Sequence, residues 1–177
     1  MDLIRARGVA AAATLAALAA GARRADAQEV GLPLGTPAPA AAVETLDGRP
    51  ADLARLVAGR PALVEFWATW CSNCKALEPQ IAAVAAKYGS RLQVVTVAVS
   101  ASQSPERVRR YVAAHRTPGV VVYDRAGKAT AAYDAPATSY VVLLDGRGRV
   151  AYTGQGGDQP LAAAVQRVLP DAPSGAR

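Results

Sequence analysis

The stretch Ala62–Pro79, reading ALVEFWATWCSNCKALEP, constrains this chain more than any other. Ala62 to Phe66 is a short run, apolar except for Glu65, and the breaker Gly59-Arg60-Pro61 precedes it; that combination predicts a buried strand. From Cys71 onward the period changes. Leu77, Ile81, Val84, Ala85 and Tyr88 fall on one face of a helix that begins at Cys71 and continues to Tyr88. Pro79 lies inside it and is expected to kink it, because proline lacks an N–H and crowds the preceding turn. Gly89 is a stop signal. Two cysteines thus sit where a buried strand hands over to an amphipathic helix.

The rest of the chain alternates in the same way. Ala41 to Thr45 suits a short strand before the Asp47-Gly48 turn, and Leu53, Leu56 and Val57 suit one face of a short helix. Leu92 to Val99 (LQVVTVAV) is the clearest strand. Ser104-Pro105-Glu106 supplies an N-cap, a proline at the first helical position and an acid in the first turn of a helix running to about His115. Val120 to Tyr123 reads as a strand, Asp124 to Gly127 as a turn and Lys128 to Tyr133 as a short helix. Tyr140 to Leu144 and Arg149 to Thr153 form a hairpin around Asp145-Gly146-Arg147-Gly148, and Pro160 to Leu169 is a closing helix. Strands alternating with helices and ending in a hairpin predict an α/β fold, a mixed central β-sheet flanked by helices on both faces.

The ends of the chain read differently. Arg5 and Arg7 precede an almost unbroken Ala/Leu run from Val9 to Ala22, and Ala25-Asp26-Ala27 supplies small residues at the cleavage positions. This is the pattern of a secretory signal peptide cleaved after Ala27. The run falls short of the ~20 residues a spanning helix needs; the alternative is a membrane anchor over residues 9–22. Residues 28–39, rich in Gly and Pro, are expected to form an extended linker, 40–169 the domain and 170–177 a frayed tail. Without residues 1–27 the chain carries 16 basic and 12 acidic residues, a net of +4. Those charges are scattered. The one cluster, Arg107, Arg109 and Arg110, reads as a solvated helix face, so nucleic acid is not an expected partner. The chain is expected to act as a monomer.

Cys71 and Cys74 are the only cysteines. A disulfide closing so short a loop restricts the unfolded chain little and makes a poor staple, so the pair is read as reactive. Zinc would need about four ligands, and the chain offers two thiols and the distant His115; no metal or other cofactor is expected. A C-x-x-C between a buried strand and an amphipathic helix is the context of a thioredoxin-like redox motif. Cys71 meets the unpaired N–H groups and positive dipole end of the helix, which favour a thiolate, and is expected to be exposed and nucleophilic. Cys74, one turn further in, is expected to be more buried and to resolve the mixed disulfide. Trp67 and Trp70 flank the pair, and Trp70 is the one expected to touch a partner.

Phe66-Trp67-Ala68-Thr69-Trp70-Cys71-Ser72-Asn73-Cys74-Lys75 resembles the active site of TlpA/ResA-type thioredoxins, exported thiol:disulfide oxidoreductases. The likeness runs from about Leu34 to Leu169, with Gly35-Thr36-Pro37-Ala38-Pro39 and the strand end Leu143-Leu144-Asp145 as further matching pieces. The resemblance implies a thioredoxin fold with the dithiol at the edge of the central sheet. Its implied partners are disulfides of exported proteins, such as apocytochromes, and a membrane electron donor. It also implies that Glu65, six residues before Cys71, is a buried acid with a raised pKa that accepts the proton of Cys74.

Two positions depart from that pattern. The family often carries a glutamate three residues after the second cysteine. Here that residue is Leu77, and Glu78, about 100° further round the helix, is expected to face elsewhere. Counting back from Asp145, the position of the family's cis-proline belongs to Ser139, with Pro136 three residues early. Thr138 and Ser139 are therefore the expected substrate-facing pair, joined by a trans peptide. Two other chemistries fit less of the chain. A copper-handling chaperone would hold Cu(I) on the thiolates with His115 as third ligand, but His115 reads as the end of a surface helix. A thiol peroxidase needs a threonine where this chain has Ala68. Ser72-Asn73 between the cysteines leaves the direction of electron flow open.

Overall fold

The computed structural model describes residues 30–169. The signal peptide or anchor expected within residues 1–27, and the tail expected at 170–177, lie outside the described residues. The elements run β1 (Ala42–Thr45), β2 (Pro50–Asp52), α1 (Leu53–Leu56), β3 (Ala62–Trp67), α2 (Ser72–Tyr88), a 3-10 turn (Gly89–Arg91), β4 (Gln93–Val99), α3 (Pro105–His115), β5 (Val120–Asp124), α4 (Lys128–Ala132), β6 (Tyr140–Leu144), β7 (Val150–Gln155) and α5 (Leu161–Val168). The seven strands form one sheet in the order β2-β1-β5-β4-β3-β6-β7. Strands β3, β4 and β5 are parallel, and antiparallel pairs extend the sheet on both sides.

Alternation along the central strands sorts the core into two layers. Val64, Phe66, Val95 and Val97 point to the face covered by α1 and α4, where they meet Leu53, Ala129, Tyr133 and Tyr140. Leu63 and Val94 point to the other face and meet Leu77, Ile81 and Val84 of α2 and Leu161 and Val165 of α5. A third cluster on this second face joins Trp67, Cys71, Cys74 and Ala98 to Val108 of α3. Every residue of β3 is buried, as befits a strand with helices over both faces.

Local chemistry fixes the element ends. Ser104 caps α3 by accepting from the N–H of Arg107 (3.3 Å), and Asp52 does the same for α1 from Arg55 (3.2 Å). Helix α2 runs through Pro79 to Tyr88 as one element. The three-residue strand β2, led by a proline, was not anticipated; it is an edge strand, where a missing N–H costs nothing in the ladder. Residues 30–39 lie along the β6–β7 hairpin. Gly35 N donates to Val150 O (2.7 Å), Ala38 N to Gly148 O (2.8 Å) and Val150 N to Thr36 O (2.9 Å), and Leu32 N reaches the hydroxyl of Tyr140 (3.0 Å).

Asp124 is buried at the end of β5. Its carboxylate accepts from the backbone N–H of Ala129 (3.2 Å) and Thr130 (2.8 Å) and from Thr130 Oγ1 (2.7 Å). Removing it strands these donors at the start of α4. Asp124→Ala is expected to lower stability by about 1–3 kcal/mol, read as a lower urea midpoint with an unchanged m-value.

Candidate active site

The site is built where β3 ends and α2 begins. After Trp67 the chain turns, with Cys71 N donating to Ala68 O (3.1 Å), and Cys71 becomes the N-cap of α2. Its Sγ accepts from the backbone N–H of Cys74 at 3.0 Å, and its carbonyl accepts from Lys75 N at 3.2 Å. Cys71 and Cys74 are joined in a disulfide with their Cα atoms 5.3 Å apart. The sulfur of Cys71 therefore lies on the helix axis end, where the orphan N–H groups and the dipole favour negative charge. The expectation that Cys71 is exposed is corrected: in the disulfide state it is 6% exposed and Cys74 2%. The turn residues and α3 close over both sulfurs, so their order of burial is as expected but the contrast between them is small.

The two tryptophans divide. Trp67 is core, 3% exposed, with its ring 5.3 Å from that of Tyr111. Trp70, next to Cys71, is 44% exposed and held in place by its Nε1–H donating to Ala101 O at 2.8 Å. The turn is braced from behind by Gln103, whose Oε1 accepts from Thr69 N (2.9 Å) while its Nε2 donates to Val99 O (2.6 Å). Nothing in the sequence distinguishes this glutamine from any loop residue.

Glu65 lies on the same face of β3 as Leu63 and Trp67, beneath α2 and α3. It is 4% exposed, with Thr96 and Val141 as its neighbours on the adjoining strands. Its Oε1 has no hydrogen-bond partner among the described residues. Burial pushes its carboxyl up from 4.5 to about 8, and the charge of Glu78 adds to the effect. Glu78 faces a different way from the fully buried Leu77, yet its charge still reaches Glu65. Glu78 stands one turn beyond Cys74 on α2, half-buried, and accepts a hydrogen bond from the hydroxyl of Tyr111 on α3. The spacing Cys74–Glu78, four residues on a helix, was the available signal for this placement.

Ser139 lies one residue beyond the Tyr140–Phe66 pair, level with the end of β3. It is 1% exposed and adopts φ +63°. The Thr138–Ser139 peptide is trans, as is every described peptide bond, and Pro136 is exposed. Ser139 O accepts from Gln159 Nε2 (3.0 Å), and Ser139 Oγ accepts from Gly156 N (3.2 Å). Gln159 Nε2 also donates to Gly156 O (2.9 Å), and Gln80 Nε2 on α2 donates to Gly157 O (3.0 Å). A Cβ on Gly157 would stand 2.9 Å from Ala76 Cβ and 3.2 Å from Asn73 O, so the loop after β7 lies directly against the cysteine helix.

His115 is stacked on Tyr111, with ring centroids 3.8 Å apart, and its Nδ1 donates to Tyr111 O (2.9 Å). It is not brought to the sulfurs as a third ligand, and no group of three or more His, Cys, Asp or Glu able to hold a metal occurs among the described residues.

A strand–C-x-x-C–helix unit on a mixed seven-stranded sheet, with the cysteines bridged, defines a thiol:disulfide oxidoreductase of the thioredoxin fold. The redoxin family model matches residues 33–169, and the chain belongs to that family as a TlpA/ResA-like thioredoxin. It is 30% identical over 122 residues, 68% of this chain and 71% of the relative, to the thioredoxin-like protein YneN of Bacillus subtilis. A crystal structure of a hypothetical protein from Sinorhizobium meliloti superposes with a TM-score of 0.69 at 26% identity, covering 82% of this chain and 89% of that one. A protein provisionally assigned as the thiol:disulfide interchange protein DsbE of Chlorobium tepidum superposes at 0.66 and 25% identity, covering 78% and 99%.

Two expectations follow from the geometry. Between about pH 4.5 and 8 the folded protein keeps the Glu65 proton that the unfolded chain has released, so the folded state binds more protons and stability falls as pH rises. The decline should total at most ~5 kcal/mol, and Glu65→Gln should remove it; urea midpoints of the two oxidised proteins across this range measure it. Ser139→Pro should destabilise, because proline holds φ near −65° while this position sits at +63°. A lowered melting temperature checks this; an unchanged one would show that the loop re-forms around the ring.

Proposed function

We propose that this oxidoreductase works outside the cytoplasm as a reductase of disulfides in exported proteins, with apocytochromes as a candidate class and a membrane protein as its electron donor. The observation that carries the reading is the bridged pair at the N-terminus of α2 with a protonatable carboxyl buried beneath it. The signal-peptide pattern ahead of residue 28 supports export, and the interchange name of the Chlorobium relative supports the chemistry. No helix among the described residues is long and apolar enough to cross a membrane.

In the reduced protein the Cys71 thiolate attacks one sulfur of the partner disulfide. A mixed disulfide forms and the partner's other sulfur leaves as a thiolate that takes up a proton. Cys74 then gives its proton to ionised Glu65 and attacks Cys71, which restores the internal disulfide and expels the partner's second sulfur as a thiolate that takes up a proton from solvent. When the donor reduces the protein again, Glu65 returns the proton to the departing Cys74 sulfur. A pKa of about 8 suits both directions near neutral pH, because neither form of the carboxyl is rare there. Trp70, half out in solvent beside Cys71, and the half-buried Thr138 are the surfaces offered to the partner.

Cys74→Ser is expected to trap mixed disulfides with exported proteins, whereas Cys71→Ser traps none; non-reducing electrophoresis of the two variants reads the result. Equal trapping would overturn the assignment of roles. The reduction potential of the pair tests the direction, with ~ −270 mV marking a reductase and ~ −120 mV an oxidant.

A further inference from the structure

Beside the dithiol opens a groove of about 650 Å³ bordered by Thr69, Lys75, Arg107, Arg110, Tyr111 and His115. Lys75 follows Cys74 directly on α2. Arg107, Arg110, Tyr111 and Ala114 form one row along α3, the three- and four-residue spacing that stacks side chains on one helical face. The Tyr111–Glu78 hydrogen bond and the Trp67–Tyr111 ring contact hold that row against α2 and the site.

The three arginines of α3 are all exposed, as a solvated face requires, but they divide by partner. Arg109 is engaged, donating to Leu46 O (2.5 Å) and paired with Glu106 (3.1 Å). The side chains of Arg107, Arg110 and Lys75 are exposed and have no hydrogen-bond or ion-pair partner among the described residues. The nearest carboxylates on these helices are already occupied, Glu106 by Arg109 and Glu78 by Tyr111. Three uncompensated cations around one concavity repel each other and raise the local potential for anions.

We propose that this groove docks an acidic segment of the disulfide-bearing partner protein, its carboxylates meeting Lys75, Arg107 and Arg110 while its disulfide reaches Cys71. The assignment names a partner chemistry for the exchange reaction proposed above and rests on that reading.

The test separates docking from chemistry. A labelled cysteine-free hexapeptide containing four glutamates, and its glutamine counterpart, are titrated with the oxidised full chain, and anisotropy is followed at about 0.01 M and 0.15 M ionic strength. The acidic peptide should bind more tightly, by a margin that shrinks with salt. Arg107→Ser/Arg110→Ser should weaken it about fivefold, while the charge-matched pair Arg55→Ser/Arg147→Ser, remote from the groove, should not. Equal affinity for the neutral peptide, equal loss in both double variants, or tighter binding of a single-stranded oligonucleotide of the same charge would each overturn the proposal. Exchange with a disulfide-bonded form of the acidic peptide is read in parallel. Its absence alongside intact docking would refute the proposed reaction and leave the groove's assignment standing.

Discussion

A carboxyl group in the middle of a strand buried along its whole length is the constraint around which this site is arranged. Glu65 shares β3 with Leu63, Val64 and Phe66, all fully buried. An ionised carboxylate there, with one oxygen unpaired, would cost several kcal/mol. The protein meets that cost by keeping the group protonated at neutral pH. The proton is thereby stored within the sheet, beneath the helix that carries Cys74. Stability is coupled to pH through this one residue, since any change that improved its solvation would also lower its ability to hold the proton.

Above that acid the chain places a sulfur where a helix ordinarily has a hydroxyl or carboxylate. Ser104 and Asp52 cap their helices with oxygen, whereas Cys71 caps α2 with Sγ. A thiolate gains from the N–H of Cys74 and from the helix dipole what a neutral thiol does not, so the cap itself biases Cys71 toward its reactive form. Because both sulfurs are buried in the oxidised state, access depends on what lies at the rim: the indole of Trp70, the turn held by Gln103 and the loop held by Gln159.

The strands and helices were legible because each has a periodic or capping signature. The β-branched runs in β4 (QVVTVAV) and β6 (YVVLL) are of strand length and bounded by breakers, and Ser104-Pro105-Glu106 marks a helix start. Strand β2 has no such signature, since Pro50-Ala51-Asp52 pairs through its backbone at an edge. The cysteine pair and Glu65 were visible from their position relative to the strand end. Gln103 and Gln159 were not, because a glutamine brings a donor and an acceptor to any surface and only the tertiary arrangement says which groups it joins. Glu78 departs from the direction of Leu77 by one helical step but stands one full turn beyond Cys74, so it comes near the site on the side of α3 without taking the place of Leu77.

Ser139 shows how the loop at the end of β3 is held in place without a proline. Proline would rigidify the loop through its ring and leave no N–H to satisfy. Serine does neither, so rigidity must come from outside the residue. Gln159 and Gly156 supply it, fastening the carbonyl and hydroxyl of Ser139 and drawing the loop after β7 against Asn73. The left-handed backbone of Ser139 is tolerable for the same reason, because these partners are lost if it relaxes. The loop before β6, the loop after β7 and α2 thus form one hydrogen-bonded assembly. A change in any one of Gln80, Gln159 or Ser139 acts on the others before it acts on the cysteines.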